Sequence, residues 1–277
     1  MGAQSRTLAE LKKVAEGREA EMFAWEDGAI LRLLRNPNGE RQNELQLAAL
    51  EAAGSSGVRV PAVLGTATVD GRPGLIMERI EGADYLTLIG RNPLQVFPAA
   101  RISGELHATL HRVEAPLTLE PLKSRLRRHI ESGNELPPQL ARFALETLDS
   151  LPDGDRLCHG DFHPANILRS KEGPVLIDWT NVTRGDPAAD VARTDLILRI
   201  GEPPPGTSLA LRLLARVGRG ILLGGYRRAY RRLNPLDRYL INRWEVPNVA
   251  DRLSDGIKEE APALMRLLET ARRRAGR

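Results

Sequence analysis

Hydrophobic positions along the chain change their period near residue 80. Leu8, Leu11 and Val14 recur at helical spacing, so residues 8–14 read as a first helix. Strand patterns follow. Residues 21–26 and 29–35 are two short runs separated by Asp27-Gly28, a dipeptide suited to a type I′ hairpin because both turn residues need positive φ. Gly17 marks a loop ahead of this hairpin. Residues 43–53 carry Leu45, Leu47, Ala48 and Leu50 and are followed by Gly54, which predicts a helix with its stop signal. Residues 58–69 are rich in β-branched side chains and turn breakers, Asp70-Gly71 makes a second tight turn, and residues 74–80 read as the next strand. A small sheet with one main helix is expected up to residue 80.

Helical spacing dominates afterwards. Residues 100–113 place Ile102, Leu106, Leu110 and Val113 on one face, and residues 138–151 open with a proline, whose missing N–H costs nothing in the first turn. Residues 156–179 interrupt the helices with two short apolar runs that suit a hairpin, and Asp186-Pro187 starts another helix with a side-chain cap. Pro203-Pro204-Pro205-Gly206 reads as a linker to arginine-rich C-terminal helices. A length of 277 residues suits two lobes, 1–80 bearing the sheet and 81–277 mainly helical.

Composition narrows the function classes. The chain has no apolar run near membrane-spanning length, and its start, MGAQSRTLAELKK, is charged where a secretory signal is apolar, so a cytoplasmic protein without a membrane partner is expected. Arg6 stands where a myristoylation pattern after Gly2 requires Ser or Thr. One cysteine, Cys158, makes no internal disulfide and reads as a small buried apolar residue. The net charge of +4 is uneven: from Gly206 onward there are 16 Lys and Arg against 7 Asp and Glu, a local +9 that leaves the remainder at −5. Arg227, Arg228, Arg231, Arg232 and Arg272 to Arg274 have the spacing of solvated helix faces, with few aromatics to stack nucleic-acid bases. A nucleic-acid partner is therefore not expected.

Candidate chemistry is concentrated in HGDFHPANIL, from His159 to Leu168, where Asp161 and Asn166 lie five positions apart. Twelve residues after Asn166, Asp178 closes the apolar run Val175, Leu176, Ile177. A hydroxyl attacking a γ-phosphoryl group needs a nearby acceptor for its proton, the role expected of Asp161. Asn166 and Asp178 offer hard oxygen ligands to Mg2+ on the nucleotide phosphates. An isolated loop aspartate usually makes a turn or a cap; the ordered set of three makes that reading inadequate. His107 and His111 have the spacing of a zinc pair, but Ala108 replaces the glutamate of a HExxH motif. His129, after Arg127-Arg128, reads as part of a solvated face.

The ordered motifs His159-Gly160-Asp161-Phe162-His163-Pro164-Ala165-Asn166, Ile177-Asp178-Trp179 and Gly185-Asp186-Pro187-Ala188-Ala189-Asp190 resemble those of the aminoglycoside phosphotransferase and choline kinase group, the small-molecule branch of the protein-kinase-like fold. A protein kinase would read His-Arg-Asp and Asp-Phe-Gly, so Gly160 and Trp179 point to the small-molecule branch. The resemblance implies a bilobal α+β fold and transfer of the γ-phosphate of ATP, with GTP as the alternative donor, to a small-molecule hydroxyl. It further implies that Arg32, in a place the family gives to lysine, binds the α and β phosphates and pairs with Glu44. Gly17 would lie in the phosphate loop, and Met77, Glu78 and Ile80 would form the purine-binding hinge. Asp190 and His159 would brace the catalytic loop, Asp186 would cap a helix, and His163 would either touch phosphate or bond locally. Arg32 and the single-glycine loop leave a nucleotide-binding regulator as one alternative; a protein kinase is another. A polycationic acceptor needs an acidic pocket, and the arginine-rich C-terminus shifts the expectation toward a neutral or anionic hydroxyl compound.

Overall fold

A computed structural model of the chain describes residues 7–17, 19–26, 28–133, 136–200 and 209–276, with the side chains of 209–215 left aside. The hairpin residue Asp27, the linker Pro203-Pro204-Pro205-Gly206 and the N-terminal Gly2 and Arg6 lie outside the described residues.

Five antiparallel strands open the fold: β1 (Lys13–Glu16), β2 (Ala20–Ala24), β3 (Ala29–Leu34), β4 (Val63–Val69) and β5 (Arg72–Glu78), in the order β1-β2-β3-β5-β4. The expected first helix is absent. Leu8–Glu10 makes one 3-10 turn and the chain then enters β1, whose Ala15 pairs with Met22. Four exposed residues on β1 have no apolar face to bury, whereas pairing along β2 satisfies their backbone groups. A seven-residue helical pattern without a packing partner is too short to compete.

Between β3 and β4 lies α1 (Glu40–Ser55). The sheet keeps a small core of Phe23, Leu31, Leu33 and Val69. Ala49, Leu50 and Ala53 of α1 instead join the largest core, shared with Trp179, Leu110 and Tyr226 of the helical part. That choice fixes which face of α1 turns inward.

The helical part begins with β6 (Ala83–Asp84) and α2 (Tyr85–Arg91), capped by Asp84 through Thr87 N–H. It continues with α3 (Val96–Leu110), α4 (Leu122–Ser132), α5 (Pro138–Asp149), β7 (Arg156–Cys158), β8 (Ile167–Ser170), β9 (Gly173–Leu176), β10 (Thr183–Gly185), α6 (Pro187–Ile200), α7 (Leu209–Arg231), α8 (Arg238–Ser254) and α9 (Ala261–Ala275). The hairpin expected within residues 156–179 is present. β8 and β9 form a hairpin extended by β6, while β7 pairs with β10, so the loop between β7 and β8 and the loop between β9 and β10 are pinned at both ends. Among the described residues, no helix is long and apolar enough to cross a membrane.

Close packing of α3 on α7 depends on Gly104: a Cβ there would stand 2.4 Å from Tyr226 O and 2.8 Å from Tyr230 N. The approach brings both tyrosine side chains onto His107 and His111.

Candidate active site

β7 delivers the chain into the loop carrying Asp161, which turns at Gly160 with φ of 77°. A side chain at this position would also meet Asn181 O at 2.3 Å, so glycine is required twice over. Asp190, in the first turn of α6, holds the turn from below: its Oδ2 accepts from His159 N at 2.6 Å and its Oδ1 from Gly160 N at 3.0 Å. The two histidines of α3 complete the support. Nε2 of His107 and of His111 lie 3.1 and 3.2 Å from Asp190 Oδ2, and their Nδ1 atoms lie 2.8 and 2.7 Å from the hydroxyls of Tyr226 and Tyr230. Imidazoles donating to the carboxylate and accepting from the tyrosines satisfy every group in this buried set. Burial, then the neighbouring His111, pushes His107 down to about 3. Burial alone would raise Asp190, but its contacts with His107 and His111 hold it well below the usual carboxylate range.

His159 links the loop to the strand that ends at Asp178. Its Nε2–H donates to Ile177 O at 3.0 Å and its Nδ1 accepts from Asp161 N at 3.3 Å. Asn166 closes the loop by donating from Nδ2 to Asp161 O at 2.9 Å, with Asp161 Oδ2 at 3.3 Å, which commits the amide nitrogen and frees Oδ1 for a cation. His163 bonds locally, its Nε2 lying 3.5 Å from Asp161 Oδ2. Burial would raise the Asp161 carboxyl; the hydrogen bond from His163, and the charges of His163, His159 and Arg193, hold it well below the usual range instead. Asp178 follows the hairpin with φ of 61°, a left-handed conformation that a non-glycine residue takes at a cost. Its Oδ1 accepts from Thr180 Oγ1 at 2.8 Å.

A cavity of about 620 Å3 joins this loop to the sheet and brings Asp161 and Asp178 together with Gly17, Arg32, Met77, Glu78 and Ile80. Its size is that of a site for a small ligand or cofactor. Arg32 is buried at the centre of β3, and its Nη2 donates to Thr180 Oγ1 at 3.1 Å. A chain of contacts therefore runs from Arg32 through Thr180 to Asp178. The other amino nitrogen, Nη1, is buried with no partner among the described residues. Burial lowers the Arg32 pKa, opposed by the charges of Asp178 and Glu19. A buried guanidinium nitrogen without an acceptor fits an anionic group such as a phosphate, and Asn166 with Asp178 supplies the hard oxygen donors that suit Mg2+.

The expected partnership of Arg32 with Glu44 is not formed. Glu44 is exposed and pairs with Arg41 at 3.1 Å. Because Ala49, Leu50 and Ala53 face the core, helical phase turns Asn43 and Gln46 inward, and the buried Gln46 lines the cavity. The i, i+3 and i, i+7 relation of Gln46 to Ala49 and Ala53 carried that signal in the sequence. At the hinge, Glu78 N donates to Ala62 O and Arg79 N to Gly28 O, each at 2.8 Å. The Glu78 carboxylate turns to Arg59 Nη2 at 3.2 Å, and among the described residues Ile80 N–H has no hydrogen-bond partner. Asp186 caps α6 through Ala188 N at 2.8 Å and accepts from Trp244 Nε1 at 3.1 Å, outside the cavity lining. Cys158 is buried, as its surroundings in the sequence suggest.

His129 is not on a solvated face. It lines the cavity with Nδ1 3.1 Å from Oδ1 of the buried Asp251. Leu122 and Leu126, seven and three residues earlier, lie on the same stripe of α4, a signal obscured by the intervening arginines. Arg193 of α6 donates from Nε to Gly160 O at 3.1 Å and also reaches Asp251. Arg227 likewise departs from the solvated pattern, its guanidinium Nε lying 3.0 Å from Asp195 Oδ2.

Several solved structures share this fold. A thermostable mutant of aminoglycoside phosphotransferase APH(4)-Ia superposes with a TM-score of 0.67 at 16% identity, covering 96% of this chain and 94% of that one. Amicoumacin kinase hAmiN, in complex with AMP-PNP, Ca2+ and Ami, gives 0.66 at 14% identity over 96% and 89%. Macrolide 2'-phosphotransferase MphH from Brachybacterium faecium gives 0.56 at 19% identity over 94% and 91%. No curated protein matches by sequence. The family model APH, described as the phosphotransferase enzyme family, matches residues 10–236, a span that contains the sheet, the hinge and the loops carrying Asp161 and Asp178. The chain belongs to this phosphotransferase enzyme family.

Proposed function

We propose that the protein transfers the γ-phosphate of ATP to a hydroxyl of a small molecule, with the division between its nucleotide lobe and its catalytic lobe near residue 80. The observation that carries this reading is the convergence of Asp161, Asp178 and Arg32, whose Nη1 is buried without a partner among the described residues, on one cavity, with Asn166 bonded to Asp161 beside it. The purine would meet the backbone of Glu78 and Ile80 beside Met77, and the phosphates would extend under Gly17 toward Arg32. Asn166 Oδ1 and the Asp178 carboxylate would hold Mg2+, which when bound neutralises charge on the β and γ phosphates. Thr180 positions two of these groups by accepting from Arg32 and donating to Asp178.

Asp161 orients the acceptor hydroxyl and takes its proton as the oxygen attacks phosphorus. Its carboxylate, kept ionised by His163 and Arg193, is available as an acceptor throughout the neutral range. His159, Asp190 and Arg193 keep the loop backbone fixed, so little reorganisation is needed at the moment of transfer. The bound ligands of the structural relatives support the reading: amicoumacin kinase carries AMP-PNP with Ca2+, and APH(4)-Ia carries AMP-PNP with hygromycin B. A cytoplasmic setting suits a chain whose one cysteine is buried beside Asp186 O.

The test is Asp161→Ala. Turnover on a true acceptor should fall by roughly two to four orders of magnitude, the usual worth of a positioned base, while the thermal shift with MgATP persists. Undiminished turnover by the variant would remove Asp161 from the mechanism.

A further inference from the structure

The helical wall of the cavity, next to Asp161, is built from His129, Arg193, Arg252 and Asp255. Arg193 grips the backbone of Gly160, and the Asp161 carboxylate acts electrostatically on Arg252, so this wall adjoins the catalytic base. Its carboxylates are already neutralised. Asp251 is fully buried between Arg193, Arg125 Nη1 at 3.7 Å and His129 Nδ1 at 3.1 Å. Asp255 Oδ2 lies 3.5 Å from Arg193 Nη2 and 3.4 Å from Arg252 Nη1. Glu260 clamps Arg252 with both oxygens, at 2.8 and 2.9 Å. Three carboxylates thus face three guanidiniums.

An ammonium group entering here would have to displace a guanidinium from a carboxylate that is largely shielded from water, leaving the displaced cation unpaired. What the wall presents instead are the second ring nitrogen of His129, whose Nδ1 lies 3.1 Å from Asp251 Oδ1 and which in a neutral ring with Nδ1–H toward that carboxylate accepts from a hydroxyl, and the remaining N–H groups of Arg193 and Arg252, which donate.

Resting on the phosphotransferase reading above, we infer that the acceptor is an oxygen-rich hydroxyl compound without ammonium groups, held by His129 and Arg252 while Asp161 takes its proton. Sugars, polyols and sugar acids share this chemistry. The arginine donors recognise their oxygens and His129 their hydroxyl, while the carboxylates of this wall, already paired with guanidiniums, offer a polyamine no free counter-ion.

A panel of matched triplets decides the matter: sugar, sugar acid and amino sugar, with kanamycin and hygromycin B as polycationic extremes, scored at saturating MgATP by ADP release and mass shift. The best sugar or sugar acid should exceed its amino analogue by about tenfold or more in kcat/KM, a difference in transition-state affinity of about 1.4 kcal/mol. Comparing the sugar with its acid shows whether the recognised oxygens are neutral or anionic. Turnover confined to amine-bearing compounds would overturn the inference and leave the kinase reading intact. No acceptor of any class, with nucleotide bound, would overturn both. With the best acceptor, His129→Gln should raise the acceptor KM by about tenfold and leave the ATP KM within about twofold. Equal acceptor KM values in a variant with an unchanged melting temperature would remove His129 from recognition.

Discussion

A guanidinium at position 32 gives one amino nitrogen to Thr180 and keeps the other buried without a partner among the described residues beside the cavity, a division that the single ammonium of a lysine cannot make. Arg32→Ala should therefore raise the ATP KM by about 10- to 100-fold, the worth of roughly 1.5–3 kcal/mol in hydrogen bonds to a charged group. Arg32→Lys should fall between the two proteins and not above the wild type, because it keeps the charge but loses the link to Asp178. Glu44→Gln should leave kcat/KM for ATP within about twofold, since an exposed pair with Arg41 contributes little. Steady-state kinetics with MgATP as the varied substrate separates the three variants. That Asp161, Asn166 and Asp178 would lie together was legible in the sequence because they fall within one short stretch. Glu44 does not face the cavity because which α1 residue does so depends on the phase imposed by Ala49, Leu50 and Ala53, and that phase is set by a core made elsewhere in the chain.

At the scale of elements, the crossing of α3 and α7 fixes the catalytic loop indirectly, through His107, His111 and Asp190. Gly104→Ala would push a Cβ against the Tyr226 carbonyl, a backbone atom with no rotamer to escape into. Overpacking of this kind costs about 1–3 kcal/mol, measurable by urea denaturation. The same support makes stability depend on pH. His107 is neutral in the fold with its pKa pushed down to about 3, whereas an unfolded histidine titrates near 6.5. Between these values the unfolded chain binds the extra proton, so the stabilisation is complete above about pH 6.5 and is lost as pH falls toward 3. Asp190, also held low, works in the same direction at the acid end. Melting temperatures from pH 7.5 to 4 should fall, and His107→Gln should lower the neutral-pH value while flattening the slope. Sequence periodicity located α1, α3, α5 and α6 because each has a clear apolar stripe or cap. It passed over α4, whose Leu122, Leu126 and Ile130 are separated by charged residues, and it mistook the residues of β1, whose structure comes from pairing and not from burial.

For the whole molecule, the consequential feature is that the cavity draws on both the sheet and the helices while the largest core does the same. Ala49, Leu50 and Ala53 of α1 pack in one cluster with Tyr226 and Trp179, so the sheet-bearing segment is not supported by its own small core alone. Arg32 adds a polar tie to Thr180, and Leu176 N donates to Arg59 O at 3.0 Å. Unfolding should then be a single transition, and a ligand in the cavity should shift all of it. A ligand at 100 times its Kd stabilises the folded state by about 2.7 kcal/mol, and for chains of about 150–250 residues each kcal/mol moves Tm by about 2–4 °C. MgATP at that excess should raise Tm by roughly 5–10 °C. Asp178→Asn removes one metal-binding carboxylate charge but leaves the hinge and Arg32 in place, so ADP without Mg2+ should still shift the variant as it shifts the wild type. The extra stabilisation that Mg2+ adds should be largely lost. If the Mg2+-dependent part of the shift survives in Asp178→Asn, the metal is held by other oxygens. If MgATP moves only an early part of the melt, the sheet and the helices unfold separately despite their common core.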